Sequence, residues 1–83
     1  DLPSLEVKEN LIKDKKFIDL RWKDKGFKMP IELHYISFDG KREKRIELNN
    51  TPKRIVIPAS SELIIDPNGW LLFSVDSNNT KKG

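Results

Sequence analysis

Cysteine is absent from the 83 residues, and histidine occurs once, at position 34. Without thiols there can be no disulfide and no thiolate zinc site, and cysteine usage assigns no compartment. A zinc site resting on a single histidine would need carboxylates for most of its ligands, an uncommon arrangement. The sequence therefore predicts no metal site, no bound cofactor and no catalytic residue. The four glycines are used up by turns, which leaves no Gly-rich phosphate loop. No run of about 18 apolar residues occurs, so no membrane insertion is expected, and the charged opening stretch does not read as a signal peptide.

What the chain does contain is charge. Sixteen Lys and Arg stand against 13 Asp and Glu, a formal net charge of +3. The runs Lys13-Asp14-Lys15-Lys16, Lys23-Asp24-Lys25 and Lys41-Arg42-Glu43-Lys44-Arg45 each carry an acid that dilutes the local field, so no nucleic-acid partner is expected. The charge reads instead as a solvated face with Lys-rich strand edges that discourage sheet-to-sheet association. At this length the chain is one domain that buries somewhat more than about 60% of its unfolded surface, too little for a large internal cleft.

Helical periodicity is missing, while runs of about five to eight residues rich in β-branched and aromatic side chains recur between turn signals. The pattern predicts an all-β, antiparallel, immunoglobulin-like sandwich of about seven strands over residues 1–75, followed by a polar, disordered tail at 76–83. Leu5, Val7, Leu11 and Ile12 mark a first strand with a bulge near Glu9-Asn10. Ile18, Leu20 and Trp22 alternate with Asp19 and Arg21 in the second. Met29, Ile31, Leu33 and Tyr35 share the dry side of the third, and Ile36 and Phe38 imply a bulge that switches sides. Asp39-Gly40 suits a two-residue hairpin turn into a strand carrying Ile46 and Leu48. Arg54-Ile55-Val56-Ile57 forms the fifth strand, ended by Pro58.

Asp66-Pro67-Asn68-Gly69 is the strongest turn signal. Pro67 presets φ, Asp66 can accept from a following N–H, and Gly69 can take left-handed geometry. It reads as a hairpin apex between Leu63/Ile65 and Trp70/Leu72. Trp22 and Trp70 fall on the alternation of their strands as core anchors, although paired tryptophans on a small sandwich also raise an alternative, a carbohydrate-binding or other ligand-binding module. His34 sits on the wet side of its strand with Glu32, two residues away, on the same face. Asn49-Asn50-Thr51 and Asn78-Asn79-Thr80 fit the N-glycosylation acceptor and both fall in predicted loops.

The succession Gly26-Phe27-Lys28-Met29-Pro30-Ile31-Glu32-Leu33, Asp39-Gly40-Lys41, Ile55-Val56-Ile57-Pro58 and Leu63-Ile64-Ile65-Asp66-Pro67-Asn68-Gly69-Trp70-Leu71-Leu72 resembles the small β-sandwich domain of the zinc aminopeptidase family that includes aminopeptidase N. The resemblance covers residues 2–75, with Leu2-Pro3-Ser4-Leu5-Glu6-Val7 similar to the family's entry strand. Phe27, Met29, Pro30 and Ile31 resemble a strand that opens on an apolar residue and proline, and Asp66 to Gly69 the closing turn. In that family a gluzincin catalytic domain precedes the sandwich. Its GAMEN-like loop and HExxH motif have no counterpart here, so the resemblance implies a non-catalytic domain. Zinc would belong to the parent's catalytic domain, which would be the partner within the same polypeptide. Trp22, Pro30, Asp66, Pro67, Gly69 and Trp70 would be structural, and the isolated chain monomeric.

Overall fold

A computed structural model describes residues 2–69 and the backbone of residues 74–80; residue 1, residues 70–73 and residues 81–83 lie outside the described residues. Strands β1 (Ser4–Ile12), β2 (Lys15–Trp22), β3 (Met29–Ser37), β4 (Gly40–Leu48), β5 (Lys53–Pro58) and β6 (Glu62–Ile65) form two antiparallel sheets of three, and β7 (Ser74–Thr80) adds to one of them. The first sheet has the order β5-β2-β1-β7 and the second β4-β3-β6. Strands 1, 2 and 5 in one layer and 3 and 6 in the other follow the immunoglobulin-like division, but β7 lies beside β1 and not beside β6. The protein is thus an all-β sandwich, as its alternation predicts.

Alternation puts the core between the layers. Leu5 and Val7, Ile18, Leu20 and Trp22, and Ile55 and Ile57 point inward from the first sheet, and meet Ile31, Leu33 and Leu48 from the second. Met29, Tyr35, Ile46, Leu63, Ile65 and Phe27 close its margins. Burying each such side chain is worth about 1.5–3 kcal/mol before entropy is counted. β4 and β5 are edge strands, and the exposed Lys41, Arg42, Lys44 and Arg45 on one and Lys53 and Arg54 on the other make those edges unattractive to a further strand.

Several expectations need correction. Neither bulge exists: β1 pairs with β2 without interruption from Leu5↔Trp22 to Ile12↔Lys15, and β3 with β4 from Met29↔Leu48 to Ser37↔Gly40. Ile36 does not change sides; it lies on the outer face, and Phe38 is 98% exposed at the hairpin tip. The turn is centred on Phe38-Asp39, one residue earlier than the Asp-Gly pair predicted, with Gly40 at φ 129 as the first paired residue beyond it. A bond from the Ser37 hydroxyl to Asp39 Oδ1 at 2.7 Å fixes this turn. At the β1–β2 turn it is Lys13, not a glycine, that takes positive φ, at 56°.

The C-terminal expectation also changes. β7 takes in residues 76–80 of the expected disordered tail together with Ser74 and Val75 of the expected sandwich, and runs parallel to β1, from Ser4↔Ser74 to Asn10↔Thr80, an exception to the antiparallel expectation. β7 joins the layer that does not hold β6. Trp70 and Leu72, expected as the outgoing arm, lie outside the described residues.

Candidate functional site

The outer face of β3-β4-β6 gathers the chain's chemistry. The carbonyl of Glu32 accepts from Asp66 N–H at 2.8 Å, so Glu32 aims its backbone toward β6, and by the two-residue period Pro30, His34 and Ile36 do the same. Pro30 therefore loses no bond to β4, which explains a proline in a central strand. The same geometry makes His34↔Glu43 a non-hydrogen-bonded pair, the kind that brings facing side chains closest. His34 Nε2 stands 3.8 Å from Glu43 Oε2, and donor atoms of Glu32, His34 and Glu43 all lie within 4.8 Å of one another.

The cluster is neither fully dry nor fully wet. The His34 side chain is 12% exposed and that of Glu43 58%. His34 Nε2 is itself buried and has no hydrogen-bond partner, a cost of about 1–3 kcal/mol for a polar atom withdrawn from water. Lys41 Nζ lies 3.7 Å from Glu43 Oε2, and Asn68 Nδ2 makes a long 3.5 Å contact with Glu32 Oε1. Sequence alone brought Glu32 to His34. It missed Glu43, because a turn centred on Asp39-Gly40 would have set Arg45 opposite His34.

The outer face of the other sheet is an ion-pair ladder of structural character. Arg21 Nε donates to Glu6 Oε1 at 2.6 Å, and Arg54 bonds both oxygens of Asp19, Nε to Oδ1 at 2.8 Å and Nη2 to Oδ2 at 3.1 Å. The guanidinium also lies 5.5 Å from the centroid of the Phe17 ring, within cation–π range. Bonding to Arg54 holds the Asp19 carboxyl below its ordinary value, and the same bond raises Arg54. Asp39 is lowered chiefly by its bond from the Ser37 hydroxyl. Lys16 reaches the edge of the core, where its ammonium donates to the Ser61 carbonyl at 2.6 Å and sits 3.6 Å from Glu9.

The residues expected to be structural are placed as follows. Trp22 is 1% exposed and packs edge-on against Phe27, with ring centroids 4.9 Å apart and an 86° interplanar angle; it presents no face to a sugar ring. Gly69 has φ 64 and its N–H donates to the Asp66 carbonyl at 3.0 Å, closing the turn over Pro67. Asp66 is itself at φ 51, a conformation that Asp tolerates better than most residues. Trp70 lies outside the described residues. Asn49 is exposed in a loop, its side chain accepting from Thr51 N–H at 2.8 Å, whereas Asn78-Asn79-Thr80 falls in β7 and not in a loop.

No helix among the described residues is long and apolar enough to cross a membrane. Compared with family models, with curated proteins and with solved structures, the chain matches none of them.

Proposed function

We propose that this chain is a non-catalytic structural or docking β-sandwich that stands beside the catalytic domain of a zinc aminopeptidase and holds neighbouring parts of that polypeptide in register. The observation that carries the reading is the order and spacing of four sequence pieces, from Gly26–Leu33 to Leu63–Leu72, that resemble the family's accessory sandwich. Three features of the molecule agree with such a role. Among the described residues the buried side chains are almost all apolar, which suits a rigid body. The Asp66–Gly69 turn is fastened to β3 through Glu32. The chain also enters β1 and leaves β7 at opposite ends of the sandwich, because those strands are parallel. The alternative of a sugar-binding platform loses Trp22, whose ring is inside.

The test has two arms. Coding sequence upstream of Asp1 is expected to contain HExxH followed by a distant Glu. The purified chain by itself is expected to leave aminoacyl chromogenic substrates uncleaved. Hydrolysis above a mock preparation, or an upstream region with no metallopeptidase signature, overturns the reading.

A further inference from the structure

We propose that Glu32, His34 and Glu43 form a divalent-cation site of the zinc class on the outer face of the β3-β4-β6 sheet. The first argument is convergence. Two strands held in fixed register deliver one imidazole nitrogen and two carboxylates to one spot, with donor atoms within 4.8 Å of one another. Ligands bound to one zinc ion at about 2.0–2.2 Å lie roughly 3.3–3.6 Å apart in a tetrahedron, so side-chain shifts on the order of 1 Å close the set. A fourth position stays with water.

The second argument is the state of His34 Nε2. This nitrogen is buried and without a hydrogen-bond partner, and Glu43 at 3.8 Å is beyond hydrogen-bonding reach. A cation bound there supplies the missing partner. Charge points the same way, since two carboxylates and a neutral imidazole balance a dipositive ion and lose their mutual repulsion when it binds. The mixed nitrogen and oxygen donors favour zinc over the hard cations, which prefer all-oxygen sites. Lys41, 3.7 Å from Glu43, competes for that carboxylate and lowers the affinity. The inference is independent of the docking reading.

Zinc chloride titrated into the untagged full chain, followed by calorimetry and by NMR of the His34 ring, tests it. One zinc per chain is expected, with the His34 ring resonances and the amides of Glu32, His34 and Glu43 moving together. His34→Gln and Glu43→Gln should each weaken binding by at least about tenfold, since even the loss of a residue that only orients a ligand costs about 10–100-fold, with the larger loss at His34. Lys41→Ala should tighten it severalfold by freeing Glu43, an effect that adventitious surface binding would not show. Because all these side chains face outward, circular dichroism of each variant should match that of the parent. An unmoved His34 ring at millimolar zinc, or unchanged affinity in His34→Gln, overturns the proposal.

Discussion

The indole N–H of Trp22, on one sheet, donates to the carbonyl of Met29, on the other, at 3.0 Å. The backbone of Trp22 is held as well, with its N–H donating to Asn49 at 2.9 Å and its carbonyl accepting from Asn50 Nδ2 at 2.8 Å. One residue thus ties both layers to the loop that carries the chain from β4 to β5.

Trp22→Phe keeps most of the apolar volume and removes the donor together with a small part of the ring system. It should cost about 1–2 kcal/mol, because the Met29 carbonyl loses its partner near the core, while Trp22→Ala should cost about 3–5 kcal/mol. Urea denaturation measures both. An unchanged midpoint in Trp22→Phe would show that the inter-sheet bond contributes nothing to stability.

Two turn positions should respond in opposite directions. Lys13 bears a side chain at φ 56, so Lys13→Gly should stabilise the protein by about 0.5–1 kcal/mol. Gly69→Val should cost about 1–2 kcal/mol. A Cβ at Gly69 would meet nothing within 4 Å, so the cost is backbone strain alone, and Gly69→Ala should show much of it. Thermal melts decide, and a Gly69→Val protein as stable as the parent removes the structural role of this turn.

Asp19 gives the acid limb of stability a specific contributor. Its folded pKa lies below the ordinary 3.8 because of Arg54. The stabilisation is therefore complete above pH 3.8 and is lost as pH falls through the folded value. The pair is partly solvated, with side chains 60% and 29% exposed, so its worth is at most about 1 kcal/mol and shrinks with salt. Asp19→Asn should lower stability at pH 7 by that amount, and the difference from the parent should shrink steadily as pH falls below 3.8. A loss that stays the same as pH falls would assign the effect to packing.

The tip of the β3–β4 hairpin should be indifferent to side-chain size. Phe38 is fully in solvent, so Phe38→Ser should shift stability by no more than about 0.5 kcal/mol while improving solubility at high concentration. A clear loss of stability would mean that the ring packs against something in solution.

Much of this architecture was legible because the side-chain period of a half-buried strand is two. Ile18, Leu20 and Trp22, and again Ile55 and Ile57, announce their own inward faces, and every one of them is buried. Register was harder. Pairing Ile31 with Ile46, as found, or with Leu48 would satisfy the core about equally, so apolar pattern could not choose between turns two register steps apart. Ser37 and Asp39 chose, through a bond between their side chains, and that choice put Glu43 beside His34. β7 was illegible for a different reason. Ser74–Thr80 is almost entirely polar, and it is backbone pairing with β1, not side-chain pattern, that makes it a strand.

The parallel ladder between β1 and β7 governs how the module carries tension. In an antiparallel hairpin pulled at its two free ends, the bonds fail one after another from the open end. Here, tension on the chain before Ser4 and after Thr80 draws neighbouring strands in opposite directions along their length, so the ladder from Ser4↔Ser74 to Asn10↔Thr80 is loaded in shear and its bonds share the force. A sandwich stitched in this way behaves as a strut when its neighbours move apart.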